Sequence, residues 1–359
     1  MGAVRIAVVV LALATSLLPA PPAAARAQQQ APPAPSAPIP TDLVGNRVAP
    51  ADQSDQIFNR HGLRAIYQLL YRRPMLIVSW RADDTASLER AVPAALALKE
   101  RYGDDLVLLC VERSGRSLAD MLRVVCAHRW LCADALWTCE LPAGLEVMPS
   151  PSFVLTSMWQ IGVLTGDLVA DRPALEEACA KVVGERRLGT DDLPDEAHAA
   201  WKAFAEGHWT AALKLGRAAD KRRARGLPGD AEAAEVLAKQ ARILDDALMN
   251  ELQIATEMMR SGAAAEALRR AELDWKEVED LPDDDPLRRT TESMLDNLHH
   301  ETLFAEIDAS EALAKLQDKL CRNGPGAPLA ASFRKLVKEH PGTKAAERAL
   351  VYAAMIGGG

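Results

Sequence analysis

Residues 74–88, Pro-Met-Leu-Ile-Val-Ser-Trp followed by Arg-Ala-Asp-Asp-Thr-Ala-Ser-Leu, constrain this chain more than any other stretch. The first half is an apolar run long enough for a buried strand and too short for a helix. The second half is polar and leads directly into a helical pattern in which Leu88, Val92, Leu96 and Leu98 share a face. Asp84 or Thr85 is placed to cap that helix, and Tyr102-Gly103-Asp104 to end it. A second continuous apolar run, Leu106 to Val111, then reads as a central strand covered on both faces. Two such strands joined by a helix form a right-handed βαβ unit.

The neighbouring segments extend this unit. Gln56 to Tyr71 carries apolar residues at helical spacing, and Arg72-Arg73-Pro74 stops that helix. Ser117 to Trp130 reads as a helix and Leu131 to Val147 as irregular. Pro151-Ser152-Phe153-Val154-Leu155 is a proline-led strand with Gln160–Leu164 as its hairpin partner, and Pro173 to Val183 closes the unit as a helix. These elements use about a third of the 359 residues, so a second domain is expected. Residues 195–356 look entirely helical, and an alanine-rich chain with only 4% aromatic residues suits close helix-on-helix packing.

The amino terminus reads as a targeting segment. Arg5, an apolar run from Ile6 to Leu18 and Ala25-Arg26-Ala27 form a signal peptide over residues 1–27, cleaved after Ala27; an uncleaved anchor helix is the alternative. No cysteine follows the apolar run, which excludes a lipoprotein anchor. Residues 28–52, rich in Gln, Pro and Ala, read as a disordered linker. The expected mature protein is therefore exported, periplasmic or secreted, with no membrane span. A net charge of −8 without a basic cluster argues against nucleic acid and anionic membrane surfaces as partners.

The order helix, β, α, β, α, then Pro-β-β-α resembles the thioredoxin family. The resemblance covers about residues 55–185, within a domain bounded at 53–188. It rests on the strand Met75–Trp80, the strand Leu106–Val111, Pro151 before Ser152-Phe153-Val154-Leu155, and Gly166. It implies an α/β domain, a mixed sheet flanked by helices, with Pro151 in the cis form facing the turn after Trp80. The family carries a Cys-x-x-Cys pair in that turn. Here those positions fall near Asp84 and Ser87, and Arg81–Glu89 contains no cysteine. Family-like recognition of extended polypeptide implies binding through Trp80, Pro151, Trp130 and Trp137.

The helical region, 195–356, resembles a degenerate tetratricopeptide-repeat array. Ala200, Ala203, Gly207, Ala212 and Ala219 occupy the small-residue positions of that motif, and Ala255, Gly262, Ala267 and Ala271 repeat them. Gly207 and Gly262 lie 55 residues apart, not the single period of about 34 that a regular array would show. A non-repeat helical bundle is the alternative.

Six cysteines remain to be explained. Cys110 and Cys179 read as small buried hydrophobes and Cys321 as a lone thiol. Cys132 and Cys139 could close a disulfide that staples an insertion without regular backbone pairing. The same two residues could serve as a redox pair near Pro151, or join Cys126 and His128 around zinc, although the spacing matches no closed motif. Asp83-Asp84 fits helix capping better than acid–base work. His299-His300-Glu301 reads as a solvated helical patch, and the Asp280–Asp285 run lacks the alternation and glycine of a calcium loop. No phosphate-binding loop, dinucleotide fingerprint or Gly-x-Ser-x-Gly occurs, so no cofactor is implied. Two functions follow from the resemblance. One is a non-catalytic module binding other proteins or polypeptide segments; the other is a thiol–disulfide oxidoreductase using Cys132 and Cys139.

Overall fold

The computed structural model describes residues 43–46, 48, 57–62, 72–132, 134–140, 145, 148–188, 198–200, 202, 203, 206, 208, 210–215, 218, 246 and 249–357. The expected signal peptide, and the parts of the 28–52 stretch and of the 56–71 helix not named there, lie outside them.

Six strands form one mixed sheet: β1 (Ile57–Phe58), β2 (Met75–Trp80), β3 (Val107–Glu112), β4 (Leu136–Thr138), β5 (Ser152–Thr156) and β6 (Gly162–Asp167), in the order β1-β4-β3-β2-β5-β6. β2 pairs parallel with β3, from Met75↔Val107 to Trp80↔Glu112, and antiparallel with β5. Every residue of β2 and β3 is buried, which explains why both read as unbroken apolar runs. Between them runs α1 (Val92–Tyr102), entered through a π-helical turn over Ser87–Ala91. Pro93 has no N–H to offer the carbonyl four residues back, and the helix widens there. Gly103, at φ 53°, ends α1. α2 (Leu118–Ala127) starts at Ser117, whose hydroxyl accepts from Asp120 N, and α3 (Arg172–Leu188) follows β6.

Two expectations are corrected. Leu131–Val147 is not irregular throughout, because Leu136–Thr138 forms β4, parallel to β3 and antiparallel to β1. Ile57 and Phe58 are strand rather than helix, because pairing with Thr138 and Trp137 on the sheet edge overrides their helical spacing. Within the stretch read as linker, Gly45 N donates to Gly162 O at 2.8 Å and Gly162 N to Asn46 O at 2.9 Å.

The carboxyl-terminal part of the chain is helical. Helical residues 249–260 precede α4 (Ala264–Val278), α5 (Pro286–Leu298), α6 (Phe304–Asn323), α7 (Ala327–Glu339) and α8 (Lys344–Gly357). Asp285, ahead of Pro286, caps α5 through Leu287 N. His299 and His300 fall between α5 and α6 instead of on a helix, and His300 caps a short 3₁₀ turn. The repeating small residues Ala200, Ala212, Ala255, Ala267 and Ala271 are buried in one core with Leu252, Met258 and Leu298. Gly262 (φ 85°) sits so close to α8 that a Cβ would lie 2.6 Å from the Lys344 carbonyl carbon.

Sheet and helices share their largest core. Leu76, Val78, Trp80, Leu108 and Phe153 belong to the same buried cluster as Leu313, Phe333 and Tyr352 of α6–α8. Tyr352 meets Phe58 edge-on at 5.8 Å and stacks on Phe333 at 5.2 Å, while its hydroxyl accepts from Gln317 Nε2 at 2.9 Å. A charged seam reinforces this at the amino ends of the strands. Arg73 pairs with Glu251, Arg270 reaches Asp104 at 3.3 Å and Glu251 at 3.6 Å, and Arg186 pairs with Asp105.

Asp274, buried beside this seam, has its carboxyl pushed up to about 7 by burial and by the Glu251 charge, against the pull of Arg270. Between about pH 4 and 7 the folded chain therefore holds a proton that the unfolded chain has released. Stability falls as pH rises through that window and is flat above it. Asp274→Asn should stabilise the protein by ~2 kcal/mol at pH 8, with the gain gone near pH 4, in urea unfolding at both pH values. Gly262→Ala, strained in φ and crowded against α8, should cost ~2 kcal/mol in the same assay.

Candidate functional site

The carboxyl ends of parallel strands are where α/β sheets gather ligands, and here that edge holds the turn from Arg81 to Ser87. Its conformation is fixed from within. The Asp84 carboxylate accepts from Ser87 N at 2.8 Å, Ser87 Oγ at 2.7 Å and Ala86 N at 3.3 Å. Ser87 Oγ, fully buried, accepts in turn from Arg81 N at 3.1 Å. Asp84 and Ser87, the positions where the resemblance places the two thiols, are thus bonded to each other. Arg81 and Asp83 form a two-pronged ion pair at 2.8 and 2.9 Å on the exposed rim. Its side chains are largely exposed.

Glu112, at the end of β3, supports the turn from below. It is 2% exposed, and its Oε1 accepts from Ala82 N at 3.0 Å, from Ser114 N at 2.8 Å and from the Ser114 hydroxyl. The peptide Ser150–Pro151 is cis, the isomer the resemblance implies. Ser150 Oγ lies 2.6 Å from Ser79 Oγ on β2, which ties the proline loop to the strand feeding the turn. Ser79, Glu112 and Ser150 escaped the sequence reading. Glu112 did leave a signal, a carboxylate directly after a continuous apolar strand.

The three tryptophans singled out from the sequence do come together. Trp80 meets Trp130 and Trp137 edge-on at 5.6 and 6.1 Å, Trp130 and Trp137 are parallel at 6.1 Å, and His128 stacks on Trp130 at 4.6 Å. Trp80 and Trp137 are fully buried, so they face the core rather than a partner, and Pro151 is half-buried. Among the described residues, the indole N–H groups of Trp80 and Trp137 have no acceptor and Glu112 Oε2 has no donor.

Cys139 carries a thiol, not the disulfide expected with Cys132. A staple is not needed there, because the backbone pairing of β4 already holds Leu136–Thr138 against β3. Cys132 ends a 3₁₀ turn over Trp130–Cys132, and its side chain lies outside the described residues. Burial, with the charges of Glu112, Asp120 and Glu140, pushes the Cys139 thiol up to about 11. Cys179 is pushed up to about 12, by burial and then by Glu176, and Cys110 is pushed up by burial. Among the described residues no cluster of three His, Cys, Asp or Glu could hold a metal ion.

Compared with protein-family models, curated proteins and solved structures, the chain has no match in any of the three.

A thiol at about 11 is ~0.1% thiolate at pH 8, against about a quarter for an unperturbed cysteine. Alkylation of native protein at pH 8, read peptide by peptide, should therefore modify Cys139 about a hundredfold more slowly than after unfolding. Asp84→Ala, which removes three hydrogen bonds from the turn, should cost ~1–2 kcal/mol in urea unfolding.

Proposed function

We propose that this chain is an exported, thioredoxin-like protein without dithiol chemistry, continued by a tetratricopeptide-like helical region, and that it acts as a protein-binding or scaffold module. The observation that carries this reading is the Asp84–Ser87 pair. Where thiol exchange would need two sulfur atoms in the turn leading into α1, a carboxylate and a hydroxyl bond each other and the turn's own amides. Neither can be oxidised or can attack a disulfide. The sheet order around β2, the cis Ser150–Pro151 peptide and its Ser79 tie support the thioredoxin likeness. The buried small residues Ala255, Ala267 and Ala271 support the helical-repeat likeness, since they let neighbouring helices approach closely.

The binding surface in this reading is the exposed rim, Arg81, Asp83 and Thr85, beside half-buried Pro151. A redox role for Cys132 and Cys139 is disfavoured by Cys139, whose thiol is raised instead of lowered.

Two measurements test the proposal together. In an insulin-reduction assay with dithiothreitol, the protein should give the uncatalysed rate. A labelled, cysteine-free unfolded polypeptide should bind saturably in fluorescence anisotropy, and Asp83→Arg with Thr85→Arg should weaken that binding about tenfold. Catalysed reduction abolished by Cys139→Ser would make the chain an oxidoreductase. Absence of polypeptide binding would remove the scaffold reading.

A further inference from the structure

Away from the turn, two cavities adjoin between α1, the 128–134 segment and the helical layer. The larger is a groove of about 560 Å³, within the range of small-molecule sites. Pro93, Leu96, Ala97 and Trp130 give it apolar walls. The smaller is an enclosed chamber of about 30 Å³, enough for two water-sized atoms. Lys99, Asp104 and Asp134 line both, so the groove opens toward the chamber. His61, Arg73 and Arg270 complete the charged lining of the chamber.

The chamber offers donors that the protein does not use. Arg73 is 5% exposed, and its guanidinium pairs with Glu251 while its Nε–H has no acceptor among the described residues. Lys99, 7% exposed, donates to Gly103 O at 2.7 Å and to Leu106 O at 3.0 Å. An ammonium has three N–H bonds, so one remains. Of the two acids in the lining, Asp104 is matched by Arg270 at 3.3 Å. Among the described residues Asp134 meets His61 at 3.5 Å, an imidazole whose pKa is lowered by burial, so near neutral pH it brings no charge. Arg73, Lys99 and Arg270 are thus matched in charge by Asp104, Asp134 and Glu251, but two N–H donors are left over, with apolar walls outside.

We propose that groove and chamber form one binding site for a small amphipathic carboxylic acid. Its carboxylate takes the N–H groups of Arg73 Nε and Lys99 Nζ, and its apolar body lies along Pro93, Leu96, Ala97 and Trp130. Two oxygens match two unused donors and the volume of the chamber, and charge-assisted bonds to a carboxylate are the strong kind. The Asp134 carboxylate is the charge that opposes the ligand. This site stands apart from the turn after β2 and does not depend on the polypeptide-binding reading.

The test is isothermal titration of the full chain with hexanoate and with hexanamide, which has the same body without the charge. Hexanoate should bind saturably, and hexanamide at least about tenfold more weakly. Ala97→Trp, which fills the groove, should weaken hexanoate binding about tenfold. Asp134→Asn, at a half-exposed carboxylate where folding is not at stake, should tighten it several-fold. Equal binding of acid and amide, an Asp134→Asn variant that binds no more tightly, or no saturable hexanoate binding at all would each overturn the assignment.

Discussion

Burial of β2 on both faces is the constraint that the rest of this structure answers. A strand with no solvent face must be covered twice, and the chain does so with two different kinds of material. On one face Leu76, Val78 and Trp80 pack into a core that includes α1, α3 and the distant helices α6–α8. On the other, Met75 and Ile77 lie against Val48, Leu145 and Met148. The helical region is therefore part of what makes the sheet stable, and Tyr352, almost three hundred residues further along the chain, closes over Phe58 at the sheet edge. The charged seam works in the same direction with less tolerance. Arg73 is nearly closed to water, so removing Glu251 would leave a buried cation without its partner, a far larger penalty than losing a surface ion pair.

The turn after β2 shows how a strand-to-helix junction can be made rigid without being made reactive. A helix amino terminus has unpaired amides that must find acceptors. Asp84 supplies them for Ala86 and Ser87, and Ser87 supplies one for Arg81. Glu112 takes Ala82. With the amides satisfied by side chains of the turn itself, the local electrostatics that would stabilise a thiolate at this position are already spent on a carboxylate. Cys110, Cys139 and Cys179 lie in apolar or acidic surroundings, which favour the protonated form.

Much of this was legible in the sequence, for identifiable reasons. β2, β3 and β5 announced themselves as apolar runs bounded by proline or glycine, and α1 by its period and by Gly103, whose positive φ ends the helix. Asp84 and the small residues of the helical layer were readable because capping and close packing restrict residue type strongly. β4 and β1 were not. Three and two residues are too few to show a period, and their identity is decided by the edge of β3 waiting for a partner. The fate of the tryptophans was equally hidden: the resemblance singled out Trp80, Trp130 and Trp137 for binding but could not say that their packing turns two of them inward. The seam escaped altogether, because Arg73, Asp104 and Glu251 are ordinary charged residues until tertiary structure brings them together.

That seam also decides how the two ends of the sheet divide their roles. At the carboxyl end, polar groups are bonded within the turn, and what reaches solvent is a short charged rim. At the amino end, Arg73 is held by Glu251 from a distant helix, Arg270 by Asp104 and Glu251, and Lys99 by two nearby carbonyls. A cation buried on such terms remains ionised because carboxylates surround it: burial alone would lower Arg73, yet Glu251 and Asp104 hold it above its ordinary value. Lys99, bonded to two carbonyls and to no carboxylate, is pushed down instead, burial outweighing the pull of Asp134 and Asp104. The two neighbours thus respond oppositely to the same burial, and the difference is whether a carboxylate touches them. A carboxylate arriving from outside would therefore gain most at Lys99, the group the fold leaves least compensated.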